Sequence, residues 1–249
     1  MPLAKRKRQN EQLPVPLRAL IRSYQDILQH TVDVGPVDAD TISYISEDNQ
    51  VFWNGCLFPE VPDPEITPLT IAAPGSYSAA LTHIKRPRLE SFFIFEGKVS
   101  DGNDFRARQL LAEAEIMEKI AGSKAHLHPN IIRYHGCRVH SNRITGLVFE
   151  RLEYNLDQYA SQPGFSTLNK KRFFAKLKSA VGHVHFLGLA HNDISPYNIM
   201  VRETASAQLE PVLIDFGSCA PFGSTDLLTF GTPGWCEGYF DTSEKEHDT

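Results

Sequence analysis

The chain has 249 residues, with 25 Lys and Arg against 30 Asp and Glu, which gives a formal net charge of −5. Hydrophobic residues make up 41% of the chain and charged residues 22%, close to the globular average, so the length suffices for one or two domains with a sizeable buried core. The mild acidity argues against a dedicated nucleic-acid-binding protein, which normally carries a basic surplus.

Residues 1 to about 40 are predicted to be an N-terminal extension, partly disordered, with a short helix around Leu17 to Leu28. The basic run Lys5–Arg8 is followed by no apolar segment, which excludes a secretory signal; it is either a nuclear-import patch or a solvated tail. The chain contains no run of about 18 apolar residues and no C-x-x-C pair. We therefore expect an intracellular protein, cytoplasmic or nuclear, with free thiols and with neither membrane nor nucleic acid as a partner.

The following segments predict strands and one long helix. Residues 58 to 75 are rich in proline, which predicts a loop or meander, and the extended runs 79–85 and 91–96 are predicted strands. Residues 105 to 121 predict a helix, because apolar side chains recur there on one face. That face comprises Leu110, Ala114, Met117 and Ala121. Glu113 falls within this face, which is an unusual place for a charge.

The rest of the chain predicts a second long helix between short strands. The apolar run 147–149 suits a buried strand, a helix is predicted from about 168 to 187, and strands follow at 199–202 and 211–214. The apolar stripe of the second helix comprises Phe173, Leu177, Ala180, Val184 and Leu187. This order predicts an α+β fold of two lobes within residues 41–249, a small lobe of about 41–149 and a large lobe of about 153–249.

Oxygen-bearing side chains cluster in two motifs near the predicted short strands. The segment His191–Asn198 reads H-N-D-I-S-P-Y-N, and Asp215 begins a D-F-G tripeptide directly after an apolar strand. Phosphoryl transfer needs a carboxylate that orients the attacking hydroxyl and oxygen ligands for Mg²⁺. Asp193, Asn198 and Asp215 supply such a set, and a tight hairpin would bring them together.

These motifs resemble those of eukaryotic protein kinases. The segment His191–Asn198 is similar to the catalytic loop H-R-D-L-K-P-x-N, and Asp215–Gly217 to the D-F-G motif. Three further segments match in the family's order: His128–Gly136 resembles the H-P-N-I-V stretch, Leu147–Leu152 a fifth strand running into the hinge, and Gly231–Trp235 the end of an activation segment. The resemblance extends over roughly residues 77–248 and implies a bilobal fold with a β-rich small lobe and a helical large lobe.

The resemblance also implies catalytic and metal-binding roles. Asp193 would orient the substrate hydroxyl, and Asn198 and Asp215 would hold Mg²⁺. Glu113 would be the glutamate of the family's helix C, which accounts for its place on an apolar face. Its partner would be Lys85, at the end of the predicted strand 79–85, although the gap of 28 residues (113 − 85) is long for the family.

Nucleotide binding is implied for a second group of residues. Phe149 would be the gatekeeper, Glu150 to Leu152 would present backbone groups to adenine, and Met200 would pack under the adenine ring. Lys85 would contact the phosphates, and Lys98, only 15 residues before Glu113 (113 − 98), is the rival for that lysine. Lys98 follows Gly97 and lacks the preceding strand pattern, which favours Lys85.

The sequence departs from the family pattern at three places. No G-x-G-x-x-G motif precedes Lys85, where Gly75 stands alone, so the positioning of the phosphates is in question. Asn192 replaces the arginine of the catalytic loop, which implies activity that does not depend on a phosphorylated activation segment. Ser195 replaces a lysine that contacts the γ-phosphate, so one transition-state charge is missing.

The resemblance implies an ATP- and Mg²⁺-dependent kinase that phosphorylates Ser or Thr hydroxyls on protein, with Thr232 favouring the Ser/Thr branch. A pseudokinase that binds without turnover is the alternative, and a small-molecule phosphotransferase is a third.

Asp248 falls where the family's helix F begins, so we expect a large lobe that lacks helix F onward. The stripe on the second helix should then lose part of its cover, which predicts a marginally stable or partner-dependent protein.

Overall fold

The computed structural model describes the two short strands β1 (Tyr44–Ile45) and β2 (Val51–Phe52) and residues 59–73, 78, 80–86, 99–122, 127–140, 142–236 and 240–248. The strands β1 and β2 pair with each other in antiparallel fashion. The predicted helix around Leu17 to Leu28 and the predicted strand 91–96 lie outside the described residues, and so do Gly75 and Lys98.

An antiparallel sheet of three strands forms one part of the molecule, which we call the upper part; the part around the helix Lys170–Phe186, described below, is called the lower part. Its strands are β3 (Thr82–Lys85), β4 (Tyr134–His140) and β5 (Arg143–Glu150), in the order β3-β5-β4. The central strand β5 is buried from residue 144 to 149, as its apolar run predicts, and it is longer than the predicted strand 147–149. The sequence reasoning missed β4, which is rich in polar residues and lies next to β5 on one side of the sheet.

Helix α1 (Val99–Ala121) packs against this sheet and is longer than the predicted range 105–121. The predicted apolar face is buried at Leu110, Ala114 and Met117. Glu113, on the same face, keeps only 3% of its surface exposed. A buried carboxylate needs a charged or hydrogen-bonding partner, and the helix therefore directs a functional group toward the interior.

Helix α3 (Lys170–Phe186) is the main helix of the lower part and follows a single-turn helix α2 (Leu156–Tyr159). The Asn169 side chain caps α3 by accepting the Arg172 N–H. The expectation that the stripe of α3 loses cover is wrong for its central members, because Phe173, Leu177, Ala180 and Val184 are all buried. The reason is packing against the core, including the strand Leu209–Leu213; Leu187, after the helix, is half-buried.

Two small antiparallel sheets, one of three strands and one of two, flank the segments that contain the motif residues. The hairpin of β8 (Ile199–Glu203) and β9 (Leu209–Leu213) pairs through β8 with β6 (Tyr154–Asn155). The strand β7 (Leu189–Ala190) pairs with β10 (Ala220–Pro221). These strands end directly at the catalytic-loop and D-F-G segments, so backbone pairing fixes where their side chains lie.

The proline-rich segment 59–73, called the strap below, runs without helix or extended strand along the β4–β5 hairpin, as its prolines predict. It makes isolated bridges at Glu60 to Arg143 and at Ile71 to Cys137. Ala72 is buried in the core, and Val61 and Leu69 pack against the core's edge. The strap is therefore a fixed part of the upper half of the molecule.

Candidate active site

A lysine between two carboxylates lies where strand β3, helix α1 and the D-F-G segment meet. The Lys85 Nζ is 2.7 Å from the Glu113 carboxylate and 2.7 Å from Asp215 Oδ1. Strand β3 supplies the lysine, helix α1 supplies Glu113, and the D-F-G segment supplies Asp215. One ammonium group thus joins three elements that are distant in sequence.

Burial and these ion pairs oppose each other at the three groups. Burial alone would lower the pKa of Lys85, but the charges of Glu113 and Asp215 outweigh it and raise that pKa. Burial raises the pKa of Glu113, with Lys85 acting against it. Burial also opposes the ionisation of Asp215, but Lys85 prevails and the pKa of Asp215 is lowered. The lysine is therefore a fixed cation, and Asp215 a fixed anion, at neutral pH.

Asp215 adopts a left-handed backbone conformation with φ of 60° and ψ of 78°. Its Oδ1 accepts a hydrogen bond from the Gly217 N–H at 3.3 Å, which stabilises the turn that follows. A Cβ atom at Gly217 would lie 3.2 Å from Asp215 Oδ1 and 3.7 Å from Lys85 Nζ. The glycine thus leaves room for the carboxylate and the ammonium group to meet.

The β8–β9 hairpin brings Asn198 beside Asp215. The register pairs Ile199 with Leu213, and the Ile214 N–H donates to the Asn198 carbonyl oxygen at 3.0 Å. Asn198 directly precedes Ile199 and Asp215 directly follows Ile214, so the two residues lie at the same end of one hairpin. The tight hairpin expected from the sequence is therefore present.

Asp193 lies next to Asn198 in the catalytic loop. The Asn198 Nδ2 donates to Asp193 Oδ2 at 2.6 Å and to the Asp193 carbonyl oxygen at 3.0 Å. The Thr232 N–H donates to Asp193 Oδ1 at 2.7 Å. Both oxygens of this half-buried carboxylate are thus held, one by the asparagine and one by the Gly231–Trp235 segment.

The hinge residues connect the sheet to the lower hairpin. Phe149 is buried with its ring 5.7 Å from that of Tyr134. The Glu150 side chain accepts hydrogen bonds from Arg202 and from the Arg133 N–H, the latter at 2.9 Å. The Glu150 side chain therefore links the hinge to Arg133 and Arg202.

Leu152 and Met200 are the other residues that the sequence places around adenine. Both are half-buried and pack against the core. Met200 lies on β8 opposite Val212, with Asn155 paired on its other side. The Leu152 N–H has no hydrogen-bond partner among the described residues, so it can serve as a donor.

A family model described as "Protein kinase domain" matches residues 74–237, which is more than half of the chain. The chain belongs to the protein kinase family. The prediction made from the five motifs is thereby confirmed, and the bilobal kinase fold applies to the sheet with α1 and to the part around α3.

Several curated kinases are similar to this chain. Homeodomain-interacting protein kinase 1 of Mus musculus is 32% identical over 136 residues, covering 53% of this chain and 11% of that protein. The probable serine/threonine-protein kinase fhkD of Dictyostelium discoideum is 30% identical over 173 residues, covering 66% and 22%. Serine/threonine-protein kinase ppk8 of Schizosaccharomyces pombe is 32% identical over 111 residues, covering 43% and 21%. The chain thus spans less than a quarter of each of these relatives.

In the described part of this kinase, no helix is long and apolar enough to cross a membrane.

Asn192, which stands where kinases commonly carry arginine, is the hub of a buried polar network. Its Nδ2 donates to the Ser218 carbonyl oxygen at 3.0 Å and to Ser243 Oγ at 2.9 Å, and its Oδ1 lies 3.1 Å from His247 Nδ1. Asn192 has a positive φ of 62°, which asparagine tolerates better than most residues. The amide therefore links the catalytic loop to the segment after D-F-G and to residues 240–248.

Asp248 supports the same loop, a role that the sequence analysis did not predict. Its carboxylate accepts the N–H groups of His191 and Asn192, each at 2.8 Å, and lies 2.8 Å from His185 Nε2. The carboxylate is completely buried. The position of Asp248 in the family pattern was the only signal, because spacing alone cannot show which backbone amides it meets.

Two further sequence expectations concern Ser195 and Cys219. Ser195 is 1% exposed, and its Oγ has no hydrogen-bond partner among the described residues, so it does not replace the missing lysine charge. Cys219 is buried, and burial raises the pKa of its thiol, which makes it unreactive. Neither side chain adds a charged group to the cleft.

Proposed function

We propose that this chain catalyses the transfer of the γ-phosphate of ATP to a serine or threonine hydroxyl of a protein substrate. The observation that carries the proposal is the convergence of Lys85, Glu113 and Asp215 within 2.7 Å contacts, with the pair Asp193 and Asn198 at the neighbouring loop. The relatives ppk8 and fhkD, which are named as a serine/threonine-protein kinase and a probable one, support a hydroxyl acceptor.

The cleft residues fit ATP and Mg²⁺, which the kinase family generally uses. Mg²⁺ prefers oxygen ligands and is usually held by one or two carboxylates together with substrate phosphates. Asn198 Oδ1 and Asp215 Oδ2 have no hydrogen-bond partner among the described residues and lie at the end of one hairpin, so they are the metal ligands we assign. Lys85, fixed as a cation, would bind the phosphates.

The adenine ring would lie between the hinge and β8. Phe149 would limit the depth of the pocket, and the backbone from Glu150 to Leu152 would bind the ring edge through groups such as the Leu152 N–H. Met200 would contact the ring from below. This assignment rests on the half-buried positions of Leu152 and Met200 and on the hinge that β5 enters.

Asp193 would orient the substrate hydroxyl and accept its proton as the oxygen attacks the γ-phosphorus. The new O–P bond forms while the bond from the γ-phosphorus to the bridging oxygen breaks, and ADP leaves. Mg²⁺ would neutralise the charge on the phosphates. Lys85 would hold them in line with the hydroxyl, and Glu113 would hold the lysine.

A pseudokinase that binds nucleotide without turnover is the second candidate. It is favoured by the Thr232 N–H, which occupies Asp193 Oδ1, and by the buried, uncharged Ser195. Under this alternative the Lys85 centre would still bind Mg·ATP, while Asp193 would not engage a hydroxyl.

Phosphate transfer from radiolabelled ATP to casein by the wild type and by Asp193→Asn tests the proposal. We expect the substitution to lower the rate at least about a hundredfold, because proton transfer by a positioned base contributes that much. A Mg·ATP-dependent rise in the melting temperature of both proteins, absent in Lys85→Met, would show that the nucleotide site is intact. Equal rates for wild type and Asp193→Asn, with the thermal shift retained, would establish the pseudokinase instead.

A further inference from the structure

We infer that the strap (residues 59–73) holds helix α1 in the position that brings Glu113 to Lys85, and that Glu118 is the positioning residue through which it acts. The inference rests on the proposed function only in that Lys85 is taken as the ATP-binding lysine. The contact itself is between a segment upstream of the sheet and the helix that carries Glu113.

The strap is anchored to the β4–β5 hairpin along its length. Near its start, the Val61 N–H donates to the Asn142 carbonyl oxygen at 3.0 Å, and the Ile144 N–H donates to the Pro59 carbonyl oxygen at 2.9 Å. The Glu60 carboxylate pairs with Arg143 at 2.9 Å. These bonds fix the beginning of the strap to the turn of the hairpin.

The end of the strap is bound to β4. The Cys137 N–H donates to the Thr70 carbonyl oxygen at 2.7 Å, and the Ala72 N–H donates to the Cys137 carbonyl oxygen at 2.9 Å. The strand accommodates this approach at Gly136, which has a φ of +117° and where a Cβ atom would lie 2.6 Å from the Thr70 carbonyl oxygen. Only glycine permits the strap to lie this close.

From this anchored position, Thr70 reaches helix α1. Its N–H donates to Glu118 Oε1 at 2.6 Å, and its hydroxyl donates to Glu118 Oε2 at 2.9 Å. Both oxygens of one carboxylate are thereby held by a single residue of the strap. Hydrogen bonds to a charged acceptor are among the stronger and more directional contacts in proteins.

Glu118 follows Glu113 by five residues on the same helix, a rise of about 7.5 Å along its axis. The apolar side chains of α1 that face the core, among them Met117 and Ile120, resist separation from the core. Apolar packing is non-directional, so it constrains sliding and rotation of the helix less than a bidentate hydrogen bond does. The Thr70–Glu118 contact therefore sets the register in which Glu113 meets Lys85.

Hydrogen–deuterium exchange of residues 107–121 in the full chain tests this inference, with Glu118→Ala as the principal variant. Alanine favours helix, so faster exchange would come from the lost contact and not from lower helix propensity. We expect exchange in this stretch to rise about three- to tenfold, and Thr70→Val, which keeps the side-chain shape, to give a smaller rise in the same residues. The double variant should exchange no faster than Glu118→Ala alone, because both changes remove one contact.

Glu115→Ala is the matched control, since Glu115 is exposed on the same helix. It should leave the exchange of α1 unchanged. In the phosphate-transfer assay, Glu118→Ala should raise the KM for ATP severalfold more than it changes kcat, whereas a loss of fold would remove the nucleotide-dependent thermal shift altogether. Gly136→Ala would place a Cβ atom against the Thr70 carbonyl oxygen and so push the strap away from β4. It should therefore reproduce the exchange pattern of Glu118→Ala.

Exchange in α1 that is the same in Glu118→Ala, Glu115→Ala and the wild type would overturn the inference. So would a double variant with fully additive effects. If the exchange pattern is as expected but the wild type transfers no phosphate to casein, the strap still positions α1 and the proposed function fails instead.

Discussion

Lys85 is the residue on which both stability and the proposed chemistry depend. Its ammonium group is the countercharge that Glu113 has inside the apolar face of α1, and it also pairs with Asp215. Removing one partner of a buried pair leaves the other charge without compensation, which costs more than the pair itself contributes. The effect should be visible without any assay of activity.

Replacing Lys85 by methionine should lower the free energy of unfolding, and more so at high pH. We expect a loss of about 1–3 kcal/mol at pH 8, less than for a fully buried pair because the Lys85 side chain keeps 31% of its surface exposed. Burial already raises the pKa of Glu113, and without the lysine it rises further. A carboxyl group with a raised pKa binds its proton more tightly in the folded state, so the variant loses stability as pH rises through that pKa.

Urea unfolding at pH 5 and pH 8 measures this difference. In the wild type the lowered pKa of Asp215 adds stability that is lost only at pH values below the ordinary carboxyl range, so it stays nearly constant between pH 5 and pH 8 and the difference reports on Glu113. The deficit of Lys85→Met relative to wild type should therefore be smaller at pH 5. A deficit that is the same at both values would mean that Glu113 stays ionised without its partner.

At the scale of single elements, helix α3 shows how an apolar stripe is used. Val184 is completely buried, while Phe186, two residues later, keeps 76% of its surface exposed. The same helix thus offers a core position and a surface position for comparison. Val184→Ala should lower the free energy of unfolding by about 1–3 kcal/mol, through lost burial and the cavity left behind.

Phe186→Ala is the matched control for Val184→Ala. Although it removes a larger side chain, it should change the free energy of unfolding by less than about 0.5 kcal/mol. Chemical denaturation of both variants checks the pair. A larger loss for Phe186→Ala would show that the exposed ring packs against something that the static contacts omit.

The elements also show what sequence reasoning can and cannot reach. Helix α3 and strands β8 and β9 were predicted to within two residues, because their apolar patterns stay within each element. Helix α1 ends where predicted but begins six residues earlier, at Val99 and not at residue 105. Strand β4 was missed because its sequence alternates irregularly around Gly136 and bulges where the strap approaches. The side chains at the candidate site were predicted from motifs, but the contacts of Asn192 and Thr70 were not. Those contacts join segments that are dozens of residues apart, and no local pattern encodes them.

At the scale of the whole molecule, residues 240–248 close against the catalytic loop. Ser243 is buried and donates to the Ala220 carbonyl oxygen, while Asp248 accepts the backbone amides of the loop. The network reaches the segment after D-F-G through Asn192, whose Nδ2 donates to the Ser218 carbonyl oxygen. The Thr229 hydroxyl, bonded to the Gly217 carbonyl oxygen at 2.9 Å, holds the later part of that segment.

Phosphate transfer should therefore be insensitive to prior treatment with a broad-specificity protein phosphatase. The segment between Asp215 and Trp235 is held by the Asn192 amide, the Thr229 hydroxyl and the Asp193 carboxylate, so removing phosphate takes away none of these contacts. Comparing initial rates on casein before and after treatment measures this. A loss of more than about tenfold would show that a phosphorylated residue contributes an ordering contact that outweighs these contacts.

Asp248→Asn should lower both the free energy of unfolding, by about 1–3 kcal/mol, and the rate of phosphate transfer. Asparagine keeps the shape but turns an NH₂ group toward backbone N–H donors, which leaves a buried donor unsatisfied. Asp241→Asn, at an exposed position in the same segment, should do neither. Thermal unfolding together with the transfer assay checks the two variants, and equal behaviour would show that the loop is held without Asp248.

The hydrogen bond from Ile214 to Asn198 has a mechanical consequence. The two residues assigned to the metal lie at one end of a single hairpin, so a displacement of that hairpin would carry both of them together. Lys85 belongs to a different sheet, so a separation of the two sheets would lengthen the Lys85–Asp215 contact and leave Asn198 and Asp215 at the same hairpin end. In such a displacement Asn198 and Asp215 would still hold Mg²⁺ between them, while Lys85 would lose its contact with Asp215, so the phosphates would be released first on the Lys85 side.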